Sequence, residues 1–210
     1  MEDLNHRIDL RGELLRKGIH LLSISIPVFY YYNTFELTIL LLLLAVLFMV
    51  ALDIGRKVNG TINGLYISVL GKVLRYHEID ITKHFLSGGT YFIIGIFLSV
   101  LLFPKQIGIA SVSVLVICDT FAALIGKHFG KIKIGNKTLE GSIGFFISGL
   151  ITLMIVPRIS QNPLELYIAC SALFVATVVE LIPSKIDDNI SIPLIFGLTY
   201  TILNKLILNI

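Results

Sequence analysis

The sequence predicts an all-α, polytopic integral membrane protein with about seven transmembrane helices and an interfacial amphipathic helix. Three observations lead there. The chain is 55% hydrophobic and only 15% charged, with a mean hydropathy of +0.87. A soluble domain carries more charge and fewer long apolar runs. Runs approaching the roughly 20 residues that a helix needs to cross hydrocarbon recur along the whole length. Between them, the basic residues fall mostly into alternate connecting segments. A length of 210 residues suits one transmembrane domain covering 1–210.

Residues 1–18 are polar, with Arg7, Arg11, Arg16 and Lys17. Met1–Arg11 has no apolar core before a small-residue cleavage site, so no cleavable signal is expected. A first span is expected near 19–32 and a second near 35–53, separated by the short turn at Asn33-Thr34. In 57–84, Leu65, Val69, Val73 and Leu74 recur at helical spacing with Lys72 and Arg75 between them. That pattern predicts a helix lying on the membrane surface, with a short reentrant hairpin as the alternative. Further spans are expected near 85–103, 107–126, 139–156, 164–182 and 191–208. Cys118 and Cys170 both lie in apolar runs and read as small unpaired hydrophobes.

With the N-terminus inside, 14 of the 17 Lys and Arg residues fall on inner segments; Lys105, Arg158 and Lys205 are outside. This is the positive-inside pattern. The same arrangement brings His20, Asp53, Arg56, Ser87, Asp119, Glu140, Glu180, Asp187, Asp188 and Asn189 near inner ends. The acids among them played no part in setting the topology, so their clustering argues independently for a site facing the cytosol, in a cell or endoplasmic-reticulum-type membrane.

The stretch Cys118–Gly144 holds the densest chemistry. Asp119 sits within an apolar run, where a carboxylate is costly and marks a functional site by default. It shares a narrow face with Ala122, Ala123 and Gly126, which also suits close helix packing. At 1.5 Å per residue it lies about 10 Å above the inner end of its helix. The following loop carries Lys127, Lys131, Lys133 and Lys137 among glycines, a composition suited to phosphate. Thr138 can cap the next helix, Glu140 stands in its first turn, and Gly141-Ser142 leave its N-terminus open to an anion. Capping is the plainer role for Glu140. Arg16, Lys17 and His20 begin the first span, with Glu13 and His20 on the face of Lys17. Basic residues there also serve as topology signals. Glu180, Asp187 and Asp188, with Glu140, offer oxygen ligands suited to Mg²⁺ or another divalent ion. No Walker A, GxSxG or zinc pattern occurs.

Asp119-Thr-Phe-Ala-Ala-Leu-Ile-Gly-Lys-His-Phe-Gly130 followed by Lys137-Thr-Leu-Glu-Gly-Ser-Ile-Gly144 resembles the core of the CTP-dependent lipid kinases. That family includes dolichol (polyprenol) kinase, phytol kinase and the CTP-using diacylglycerol kinase, and is related to phosphatidate cytidylyltransferase. The resemblance extends to Glu13-Leu-Leu-Arg-Lys-Gly-Ile-His20, Gly88-Gly-Thr-Tyr91, Glu180-Leu-Ile-Pro183 and Asp187-Asp-Asn189. Cytidylyltransferases end instead in a His-Gly-Gly…Asp-Arg…Asp pattern, and Glu180–Asn189 matches the kinases better.

The resemblance implies transfer of the γ-phosphate of CTP to a membrane lipid alcohol, with polyprenol or dolichol expected first and phytol, geranylgeraniol or diacylglycerol as alternatives. By matching position it implies contact with nucleotide or metal from Asp119, Lys127, Lys137, Glu140 and Ser142, and Arg16, Lys17, Lys131, Lys133, Thr138 and Gly141 are further candidates for the nucleotide. Metal contact is expected from Glu140, Glu180, Asp187 and Asp188, and proton transfer from Asp119 or His20. Expected partners are the lipid alcohol, the nucleotide and the bilayer, with no nucleic acid; a homodimer is left open. Two other classes stay open: CDP-lipid synthesis of the cytidylyltransferase kind, and a transporter using the intramembrane acids for ions. A transporter has no use for the lysine-rich loop.

Overall fold

A computed structural model of the chain describes residues 10–71, 86–182 and 186–209; the side chains of Leu10, Arg11, Glu13 and Leu14 fall outside that description. So do Arg7, Lys72, Val73, Leu74, Arg75, Lys83, Pro183 and Lys185. The helices are α1 (Leu10–Leu22), α2 (Ser25–Tyr32), α3 (Phe35–Val58), α4 (Gly60–Leu70), α5 (Gly88–Leu102), α6 (Lys105–Phe129), α7 (Leu139–Ile155), α8 (Pro163–Leu181) and α9 (Asp188–Leu208). Four of them, α3, α6, α8 and α9, are long and apolar enough to cross a membrane, and α5 and α7 are shorter apolar helices. The molecule is therefore an all-α polytopic membrane protein, with helices over each expected span.

The first span is the exception to continuity. Ser23 N–H donates to the His20 carbonyl at 3.0 Å and Ile24 N–H to that of Leu21 at 3.1 Å. These tight turns break the run into α1 and α2. The first part of the stretch expected to lie on the surface is the helix α4, where Leu65 and Val69 are 66% and 70% exposed; the remainder of its stripe lies outside the described residues.

Six of the helices begin where the sequence supplies an oxygen to the free N–H groups of a first turn. Thr34, Asn59, Ser87, Thr138, Asn162 and Asp187 accept from Leu37, Thr61, Thr90, Gly141, Leu164 and Asn189 respectively. Five of these six caps lie in turns that the hydropathy pattern already marks.

Helix α6 is the hub. Its most apolar 18-residue stretch is 72% buried, against 17% for α3 at the periphery. Val114, Leu115, Val116 and Cys118 are fully buried, and Phe145 of α7, Leu173 of α8 and Phe196 of α9 join them in the same core. Glycine allows the closest approaches. A Cβ on Gly95 of α5 would fall 1.9 Å from the Asn189 carbonyl oxygen, so the start of α9 rests directly on α5. Cys118 and Cys170 are free thiols, as expected.

Polar staples hold the ends. At one end Lys105 donates to the Asn33 carbonyl at 2.8 Å, tying the start of α6 to the end of α2. Glu165, fully buried, accepts from Ile159 and Ser160 N–H at 2.8 and 2.7 Å, and from Tyr200 Oη at 2.8 Å. The sequence pattern gave no sign of this carboxylate. At the other end Asp53 accepts from Ser87 N–H at 2.8 Å and Thr90 Oγ1 at 2.6 Å, with Arg56 3.4 Å away. Arg56 lies 3.8 Å over the Tyr66 ring. Asp53, Arg56 and Ser87 thus clamp α3, α4 and α5 together.

Candidate active site

Two charged groups meet at the end of the bundle where α6 and α8 finish and α7 and α9 begin. The first joins α1 to α6. Lys17 Nζ pairs with Asp119 Oδ2 and also donates to the Asp119 carbonyl at 3.1 Å. His20, one turn further along α1, has its Nε2 3.6 Å from the same Oδ2. Its ring packs on Phe92 of α5, with centroids 4.2 Å apart. Lys17 and His20 are 3% and 9% exposed, so this pair sits largely out of water. A buried ion pair tolerates the loss of neither partner.

The second group joins the loop after α6 to α8 and α9. Between these helices the chain forms a small antiparallel hairpin, β1 (Lys133–Ile134) and β2 (Lys137–Thr138), turned by Gly135 at a left-handed φ of 59°. The hairpin carries Lys137 to Glu180 Oε1 at 3.0 Å and Asp188 Oδ2 at 2.5 Å. Ser142 of α7 donates to the other Glu180 oxygen at 2.6 Å. Burial works to lower the Lys137 ammonium, but Glu180 and Asp188 outweigh it and hold the group above the ordinary lysine range. Its pairing is therefore complete through neutral pH and lost only as pH rises past that range. Lys137 also lies near enough to act by charge on Asp119, which couples the two groups.

The expected site residues divide into those brought together and those not. Lys17, His20 and Asp119 form one group, and Lys137, Ser142, Glu180 and Asp188 the other. Arg16 neighbours His20. Lys127, Lys131 and Lys133 are exposed, so the four lysines do not act as one cradle. Glu140 departs from the expected acid set: both its oxygens accept from Ile132 N–H at 3.2 Å, pinning the hairpin to α7. Asp187 caps α9, accepting from Asn189 N–H at 2.9 Å and its amide at 2.8 Å. Among the described residues no three His, Cys, Asp or Glu side chains gather closely enough to hold a metal. Glu140, Glu180, Asp187 and Asp188 therefore do not converge as a single four-acid set.

At the start of α7, Gly141 N–H donates to Thr138 Oγ1 at 3.2 Å. A Cβ on Gly141 would meet the Ala122 carbonyl at 2.9 Å and Gly126 Cα at 3.3 Å. Gly141 and Thr138 thus take part in helix packing and capping. Ala122 and Gly126 serve the same contact, so the small-residue stripe beside Asp119 is where α7 packs.

The fold and site thus define a helical integral membrane protein with charged side chains from five elements gathered at one end of its bundle, an arrangement suited to a polar ligand. Sequence comparison narrows it. An uncharacterised protein of Rickettsia prowazekii is 34% identical over 197 residues, covering 92% of this chain and 96% of that one. CTP-dependent diacylglycerol kinase 1 of Saccharomyces cerevisiae is 32% identical over 148 residues, 68% of this chain and 49% of the kinase. Probable phytol kinase 1, chloroplastic, of Oryza sativa is 37% identical over 128 residues, 53% of this chain and 40% of that protein. No protein-family model and no solved structure matches. The chain belongs to the CTP-dependent lipid kinase family. It spans less than half the length of these two kinases.

Proposed function

We propose that this protein transfers the γ-phosphate of CTP to the hydroxyl of a membrane lipid alcohol at the cytosolic face. The observation that carries this is the Lys137 ammonium held between Glu180 and Asp188, 3.0 and 2.5 Å away. Two carboxylates already share a cation there, from two helices and with Ser142 fixing one of them. That donor set suits a divalent ion, because Mg²⁺ is commonly held by one or two carboxylates plus substrate phosphates. Glu180 and Asp188 would hold it, and it would neutralise charge developing on the phosphoryl oxygens.

Phosphoryl transfer asks a protein mainly for positioning and charge neutralisation. Lys137 turns from carboxylates to phosphates without leaving the site. Lys127, Lys131 and Lys133, exposed around the hairpin, draw a polyanion toward it. Lys17 and Arg16 add positive charge on the α1 side, where the hydroxyl would approach from the bilayer. Names of the relatives support diacylglycerol or phytol as substrate types; polyprenol, expected from the motif, has no such support among the relatives described above.

The test is incubation of the purified protein with lipid alcohols and CTP labelled separately at the α and γ phosphates. Label from the γ position should enter the lipid, with CDP released. Label from the α position in the lipid, with pyrophosphate released, would instead show a cytidylyltransferase.

A further inference from the structure

We propose that His20, rather than Asp119, takes the proton from the lipid hydroxyl, and that the hydroxyl is received between His20 Nε2 and Asp119 Oδ2. This assignment rests on the phosphoryl-transfer reading above and names the base it requires. The Leu115 backbone lies beside the His20 ring. Ring nitrogen Nε2 is buried and has no hydrogen-bond partner. A neutral imidazole has one donor and one acceptor. Nε2 stands 3.6 Å from Asp119 Oδ2, out of hydrogen-bond reach, as a bare lone pair facing an acceptor would. Two acceptors confront each other with no proton to share. A buried acceptor left unmatched is costly and calls for an explanation. A hydroxyl supplies the missing donor.

The surroundings keep the ring in this state. The charged groups facing it are Arg16 and Lys17 on its own helix and Asp119 on α6; Phe92 of α5 contributes no charge and fixes the ring plane. Buried in this way, the ring is disfavoured from taking a further charge. Asp119 itself is engaged by the Lys17 ammonium through both Oδ2 and its backbone oxygen. Its role is to position Lys17 and orient the hydroxyl.

In the reaction, the lipid O–H bond breaks and its proton passes to Nε2. The oxygen lone pair forms a bond to the γ-phosphorus of CTP. The bond from that phosphorus to the bridging oxygen breaks, and CDP leaves with the electron pair. The imidazolium then returns its proton to water.

The experiment compares wild type with His20→Gln in detergent, reading γ-label transfer, CTP affinity and the pH–rate profile. The expected result is a fall in kcat of about 10²–10⁴-fold, the usual contribution of a general base. CTP affinity should be unchanged, and the acid limb of the profile should disappear. Transfer within about threefold of wild type, or survival of the acid limb, overturns the assignment and leaves the kinase reading standing. No transfer by the wild type overturns both. If the variant does not fold, ¹⁵N shifts of histidine in the wild type decide: the His20 proton should reside on Nδ1, and a proton on Nε2 sinks the proposal.

Discussion

At the residue scale the pairing of Asp119 with Lys17 changes what a substitution there should do. Asp119 stands out in the sequence as a lone carboxylate in an apolar run, and a lone carboxylate should be replaced by an amide without harm to folding. In the structure Lys17, 3% exposed, depends on it. Asp119→Asn should therefore lose stability, by up to about 3–5 kcal/mol, because it removes the carboxylate that pairs with a buried cation. The combination Lys17→Met with Asp119→Asn should recover most of that loss and stay inactive. Thermal unfolding of detergent-solubilised variants measures it; a single variant as stable as the parent would contradict the buried pair. Periodicity could show that both residues face inward, but not that they face each other, because register between helices 102 positions apart is not written in either one. The same blindness explains Glu165. An acid in a first helical turn has a sufficient local explanation as a dipole partner, and its bond to Tyr200, 35 positions on, appears only when α8 and α9 pack.

At the element scale the spans were legible because hydrocarbon imposes one requirement on all of them: about 20 apolar residues with every backbone group satisfied internally. The hairpin was not legible. Its strands are two residues each, too short to display alternation, so Lys133 to Thr138 reads as loop. That hairpin is what separates Lys137 from the three lysines before it. Close helix approach was half legible, through glycines whose partners the sequence does not name. Gly95 makes the sharpest case. A methyl there would overlap the Asn189 carbonyl, at 1.9 Å, and backbone cannot yield as a side-chain tip can. Gly95→Ala should push the first turn of α9 away and carry Asp188 off Lys137. The expected outcome is a KM for CTP raised at least about tenfold, the effect of losing roughly 1.4 kcal/mol of binding, together with a lower unfolding temperature. Unchanged KM in a folded variant would show that Asp188 need not stay where the structure has it.

At the scale of the whole molecule the arrangement separates two kinds of polar end. One carries staples that close on themselves, Lys105 on Asn33 and Glu165 on its loop and Tyr200. The other carries Lys17, His20, Asp119, Lys137, Glu180 and Asp188, whose pairings leave charge to exchange with a ligand. On the proposed function the second end faces the cytosol, where a nucleotide can reach it, and the split of 14 basic residues against 3 supports that orientation. Asn136, exposed at the hairpin tip, reports on that end, and Gln161, exposed beside the Glu165 staple, on the other. In a background with Cys118→Ala and Cys170→Ala, Asn136→Cys should react with an impermeant thiol reagent in inside-out vesicles and not in intact cells. Gln161→Cys should do the reverse. Both substitutions fall on exposed loop positions, where side-chain changes usually shift stability by no more than about 0.5 kcal/mol, so a labelling pattern reports orientation and not misfolding. Reaction of Asn136→Cys from outside intact cells would put the lysine hairpin where CTP is absent, and the kinase reading would fall with it.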